Sequence, residues 1–175
     1  IMADVKKKRN WEYKWHPTNN SNHRRPNLKE GKEILVQVIK EPFRGKGPRV
    51  TTDITIPGRF LVLIPFATHV GVSKNIDDKG ERNRLKKILS NIKPKGYGVI
   101  ARTVARSKGQ KKLQNDLEYL IKVWKETKKR ATKSDSKECV YYDMGGASSV
   151  LRDFLNPDVN EIAVDDKKLY KKLKK

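Results

Sequence analysis

Residues 109–130 carry the pattern that constrains the fold most. Leu113, Leu117, Leu120, Ile121 and Trp124 recur at i, i+4, i+7, i+8 and i+11, one face of a helix, while the opposite face is lysine-rich. A helix that is apolar on one side only must be covered by another layer. The apolar stretches before it read as strands. "EILVQVIKEP" (33–42) is rich in β-branched residues, and "VTTDITIPGRFLVLIP" (50–65) alternates at first, with Val50, Thr52, Ile54 and Ile56 on one face, then becomes continuously apolar. "FRGKGPRV" between them holds the turn residues Gly45, Gly47 and Pro48, so the pair reads as a hairpin. In residues 68–104, "HVGVSKNI" is a short strand and Asp77 or Asp78 caps a helix through "ERNRLKKILSNI", with Leu85, Ile88, Leu89 and Ile92 at helical spacing. "KPKG" stops that helix and "KGYGVIARTVA" (95–105) follows as a strand. Alternating strands and helices point to an α/β layer rather than a helical bundle. After a solvated linker, "CVYYD" reads as a strand, "ASSVLRDFL" as a short helix, "NPDVNEIAVDD" as a turn and strand, and "KKLYKKLKK" as the opening of a helix.

Charge narrows the partners. The 175 residues hold 41 Lys+Arg against 20 Asp+Glu, a formal net charge of +21, with only 35% hydrophobic residues. Such a field concentrates polyanions, nucleic acid first and an anionic membrane second. Residues 1–28 are basic and aperiodic, an irregular arm whose Trp11, Tyr13 and Trp15 either stack on bases or pin the arm to a neighbouring surface. The single Cys139 forms no intramolecular disulfide and no Cys-based zinc site; His16, His23 and His69 lack metal-ligand spacing. No apolar run reaches membrane-spanning length, and "IMADVKKKRN" has no apolar core behind its basic run, so a cytoplasmic setting is expected. The chain opens on Ile and stops in "YKKLKK", as a piece of a longer protein would.

Two places carry chemistry toward anions. The hairpin loop "RGKGPR" gathers Arg44, Lys46 and Arg49, and its glycines let backbone approach a phosphate. In "KGYGVIARTVA", an ideal strand puts Arg102 on the face of Ile100 and Val104, where an arginine needs a partner. That partner is either a protein carboxylate, Asp116 or Glu118, or a bound anion such as a phosphate, whose oxygens match the guanidinium fork. Thr103 adds a hydroxyl, but for both side chains to meet one anion the strand must end or twist near residue 102. Catalytic constellations are lacking: no Walker loop, no Gly-x-Ser-x-Gly, no Cys/His pair near a helix start. The acidic pairs Asp77/Asp78 and Asp165/Asp166 read as a helix cap and a strand-end turn.

Taken together, "LKEGKEILVQVIKEPFRGKGPRVTTDITIPGRFLVLIPFATHVGVSKNI", "ERNRLKKIL", "KPKGYGVIARTVA", "DLEYLIKVW" and "VLRDFLNPDVNEIAVDD", in this order, strongly resemble the ribonuclease E/G family over about residues 28–170. The resemblance implies a cytoplasmic, Mg2+-dependent endoribonuclease that cuts single-stranded RNA in rRNA processing and mRNA decay. It implies an α+β or α/β fold: residues 29–57 as the last strands of an OB-type RNA-binding barrel, 58–165 as an αβ 5′-sensor domain, and 166–175 as the start of a link to a ribonuclease-H-like part. The motif positions of the 5′-monophosphate sensor are Gly58, Val62, Arg102 and Thr103; Lys46 matches a basic position of the barrel's RNA surface and Lys40 lies in a matching segment. Single-stranded RNA with a 5′-monophosphate is the implied partner, and a homo-oligomer would form through further segments.

The chain departs from the family pattern in ways that matter. The first barrel strands, the metal-binding aspartate segment and the Cys-containing zinc link are absent, so this chain is expected to bind no Mg2+ and to cut no RNA alone. After Arg102-Thr103 it reads "VARSKGQ", adding Arg106 and Lys108. A non-enzymatic ribosomal or assembly RNA-binding protein is the alternative that size and charge allow.

Overall fold

The computed structural model describes residues 33–135, 137–143 and 159–173. The arm of residues 1–28 and the helix expected at 147–155 lie outside them. The chain divides into two compact units, residues 1–140 and 141–175.

In the first unit, β1 (Gln37–Lys40) and β2 (Arg49–Thr51) pair antiparallel as a separate two-stranded sheet. Gln37 anchors it to the following chain: its Oε1 accepts from Thr55 N (2.8 Å) and its Nε2 donates to Thr55 O (3.2 Å). No closed barrel forms among the described residues. The core lies on a four-stranded sheet of β3 (Ile56–Pro57), β4 (Leu61–Pro65), β5 (Val70–Val72) and β6 (Tyr97–Ala101), in the order β3-β4-β6-β5. β4 and β6 are antiparallel, with Leu61 opposite Ala101, while β5 runs parallel to β6. A parallel pair needs a crossover, and α1 (Lys79–Ile92) supplies it. Asp78 is its cap, Oδ1 accepting from Glu81 N at 2.8 Å.

The amphipathic segment forms α2 (Gln110–Ala131), with Leu113, Leu117, Leu120 and Trp124 buried. They join Leu61, Leu63, Leu85, Leu89 and Val99 in one core. Phe66 meets Trp124 edge to face, centroids 5.4 Å apart. On β6, Gly98 leaves room for the chain between β4 and β5: a Cβ there would lie 2.6 Å from Ala67 Cβ.

The strands expected at "CVYYD" and "NEIAVDD" do not form. Residues 139–143 and 159–164 have no ladder partner among the described residues, and Ile162 is exposed. β-branched residues favour a strand only where a partner and a buried face exist. The Asp165/Asp166 pair is likewise not a strand-end turn. In the second unit Asp166 Oδ1 accepts from Leu169 N (2.6 Å), capping α3 (Lys167–Leu173).

Gly98→Ala is expected to destabilise the protein by about 1–3 kcal/mol through overpacking, seen as a lower denaturation midpoint with little change in slope.

Candidate functional site

Between β3 and β4 the chain reverses over Gly58–Leu61, with Gly58 N donating to Leu61 O (2.7 Å). Asp116, on α2, holds this turn from one side: its carboxylate accepts from the backbone N–H of Arg59 (3.2 Å), Phe60 (2.9 Å) and Leu61 (2.9 Å). Gly58 permits that approach, since a Cβ would lie 2.8–2.9 Å from both Asp116 oxygens and 2.9 Å from Leu120 Cδ1. Arg102 holds the turn from the other side. Its N–H donates to Phe60 O (2.8 Å), and its Nη1 donates to Gly58 O (2.8 Å) and Arg59 O (3.4 Å). Of the two carboxylates weighed as its partner, Asp116 serves the turn's backbone and Glu118 accepts from Gln114 Nε2 (3.0 Å).

β6 ends at Ala101, and Arg102 is the extended residue before a one-turn 3-10 helix, Thr103–Ala105. The strand therefore ends just before Arg102, where a shared anion site for the two side chains would need it to. Ser73, Ile100, Ala101, Arg102, Thr103 and Val104 line an open depression of about 280 Å3. Gly58 joins this neighbourhood through its carbonyl on Arg102. Val62 is half-buried in β4, paired with Pro57 on one side and Ile100 on the other, and does not line the depression.

Past the depression, the turn carrying Arg106 and Lys108 is tied to α1. The Glu81 carboxylate accepts from Arg84 Nε (2.7 Å), Arg84 Nη2 (2.7 Å) and Ser107 N (2.8 Å), while Arg84 Nη1 donates to Lys108 O (3.1 Å). Ser107 takes φ +58°, uncommon for a residue with a side chain. "DKGE" has the spacing of a capping box, yet its glutamate faces outward to this turn. The Arg84 guanidinium, chiefly, and the Ser107 N–H hold the Glu81 carboxyl at about 2, below its ordinary 4.5.

The other predicted residues lie on the hairpin. Phe43 and Lys46 exchange backbone hydrogen bonds across a two-residue tip, with Arg44 at φ +46° and Gly45 at φ +77°, the signs of a type I′ turn. Arg44 stacks over Phe43 at 5.0 Å. Lys40 stands opposite Arg49, and Lys40, Arg44, Lys46 and Arg49 are all exposed. Like charges facing across a ladder are destabilising, and a polyanion would relieve that. Sequence reasoning missed Ser73, which lines the depression, and Glu81, which ties the turn beyond it to α1. Asp116, weighed there as one of two carboxylates for Arg102, accepts from three backbone N–H groups of the turn. A signal existed only for Asp116, an acid flanking an apolar helical stripe.

Residues 55–175 match the sequence model of the Ribonuclease E/G family. The chain belongs to that family. It is 39% identical over 146 residues to "Ribonuclease G" of Escherichia coli K12, covering 83% of this chain and 30% of that protein. It is 37% identical over 147 residues to "Ribonuclease G" of Haemophilus influenzae, covering 84% of this chain and 30% of that protein. To "Ribonuclease E" of Nostoc it is 40% identical over 142 residues, covering 81% of this chain and 21% of that protein. The ribonuclease E/G chain described here thus spans less than a third of those relatives.

Two outcomes follow from the geometry. Asp116→Ala strands backbone donors at the turn and is expected to cost about 1–3 kcal/mol in denaturant unfolding. Because Glu81 has its carboxyl depressed from 4.5 to about 2, its contribution is present above pH 4.5 and fades as pH falls toward 2. Wild-type stability should therefore drop more over that acid range than that of Glu81→Gln, measured by thermal unfolding at a pH series.

Proposed function

We propose that this chain is the RNA-binding, 5′-monophosphate-sensing portion of a ribonuclease E/G-type endoribonuclease, one that cleaves single-stranded RNA in rRNA processing and mRNA decay. The observation that carries this reading is the end of β6: Arg102 and Thr103 leave the sheet together and border one open depression. Arg102 uses Nη1 to lock onto the Gly58 carbonyl, which fixes the plane of its guanidinium before a ligand arrives. A terminal phosphate would take hydrogen bonds from the guanidinium and from the Thr103 hydroxyl. The hairpin residues Lys40, Arg44, Lys46 and Arg49 would contact the RNA backbone as part of an OB-type barrel. Two contacts on one strand raise its occupancy through effective concentration.

Among the described residues no three His, Cys, Asp or Glu side chains are grouped to hold a metal. The role proposed for the described residues is binding. In the whole enzyme, Mg2+-assisted hydrolysis, homo-oligomer assembly and a cytoplasmic setting belong to the same proposal. Among the described residues no helix is long and apolar enough to cross a membrane.

Arg102→Ala is expected to weaken binding of 5′-monophosphorylated single-stranded RNA by about 1.5–3 kcal/mol, roughly tenfold to a hundredfold. Binding of the 5′-hydroxyl counterpart should change little, both measured by titration at one salt concentration. An unchanged ratio between the two RNAs would leave only a general RNA-binding protein.

A further inference from the structure

Ser73, the residue after β5, is fixed on every side. Its N–H donates to Ala101 O (2.8 Å), extending the β5–β6 ladder, and its carbonyl accepts from Arg82 Nη1 (2.7 Å) and Ile76 N (3.2 Å). Its Oγ accepts from Asn75 N (3.3 Å) and lies 3.1 Å from Thr103 Oγ1. Each hydroxyl has one proton to give, so the Ser73–Thr103 bond runs in one of two directions. If Thr103 donates to Ser73, Thr103 has no proton left for an anion. If Ser73 donates, the Thr103 proton is turned toward the depression that both residues line. The Asn75 N–H takes one of the two lone pairs of Ser73 Oγ; accepting it polarises the serine O–H, makes it the better donor of the two and so favours the second direction.

We infer that Ser73 is a positioning residue for the candidate 5′-phosphate site: it donates to Thr103 Oγ1 and so commits the threonine hydroxyl to donate to the phosphate. This rests on the sensor reading of Arg102 and Thr103. The relay runs Asn75 N–H, Ser73 hydroxyl, Thr103 hydroxyl, phosphate oxygen. No bond is broken and no proton is transferred; only hydroxyl orientation is set. Arg82 contributes by clamping the Ser73 carbonyl, so that the serine does not rotate away.

The test uses the full chain with a short single-stranded RNA bearing either a 5′-monophosphate or a 5′-hydroxyl. Ser73→Ala is expected to reduce the affinity ratio between the two RNAs about three- to tenfold, the range of one neutral hydrogen bond. Ser73→Thr, which keeps the hydroxyl, should retain the ratio. Since Ser73 acts through Thr103, the double variant Ser73→Ala/Thr103→Val should lose no more than Thr103→Val alone. Additive losses would mean that Ser73 touches the phosphate itself and would overturn the positioning role. A ratio preserved in Ser73→Ala but lost in Arg102→Ala and Thr103→Val would defeat this inference alone. A ratio unmoved by any of the three would defeat the sensor reading and the inference with it.

Discussion

The carboxylate of Asp116 is the contact on which the site depends. Three successive backbone N–H groups, Arg59 to Leu61, converge on it. A tight turn leaves its donors pointing one way and its carbonyls the other. Asp116 takes the donors, and the Gly58 and Phe60 carbonyls are thereby presented to Arg102. A negative and a positive side chain thus bind opposite poles of one stretch of peptide dipoles. α2 is bound to the sheet by apolar packing along Leu113, Leu117, Leu120 and Trp124, and at the turn this acid adds the polar contact that fixes its registry beside Leu120. Hydrogen bonds to a charged acceptor are stronger than neutral ones, and three of them on one carboxylate make that registry steep.

The same logic explains how the depression is built from short polar links rather than from a deep cavity. α1 reaches both of its borders. Arg82 holds the Ser73 side and the Glu81–Arg84 pair holds the turn after Thr103. The pair is exposed enough that salt weakens it, yet its bidentate geometry and the added Ser107 N–H set it apart from an isolated surface bridge. The hairpin obeys a different rule. Its basic residues crowd a narrow two-stranded sheet with little apolar cover, an arrangement suited to contacting a polyanion and poorly suited to standing alone.

Much of the architecture was legible in the sequence because its signals were local. Helical spacing from Leu113 to Trp124 and from Leu85 to Ile92 gave both long helices, and the choice between Asp77 and Asp78 resolved to the residue three before Glu81. The end of β6 followed from demanding that Arg102 and Thr103 meet. The failures were non-local. "CVYYD" and "NEIAVDD" have strand-like composition without partners among the described residues, and composition alone supplies no ladder. Asp116 lies 55 to 57 residues from the amides it holds, so nothing local to it in the sequence pointed to those backbone donors. Ser73 gave no signal, since one serine after a short strand is ordinary until its hydroxyl is seen beside that of Thr103.

The separation of Asp116 from its turn also sets an order in time. The four strands are complete once Ala101 has been made, and they can pair by their own ladders. Asp116 lies fifteen residues later in the chain (116 − 101). As synthesis proceeds from the N-terminus, the sheet can therefore exist before the Gly58–Leu61 turn is pinned. The turn that Arg102 grips is pinned by Asp116 only when α2 docks, so the step that closes the core also completes the candidate site.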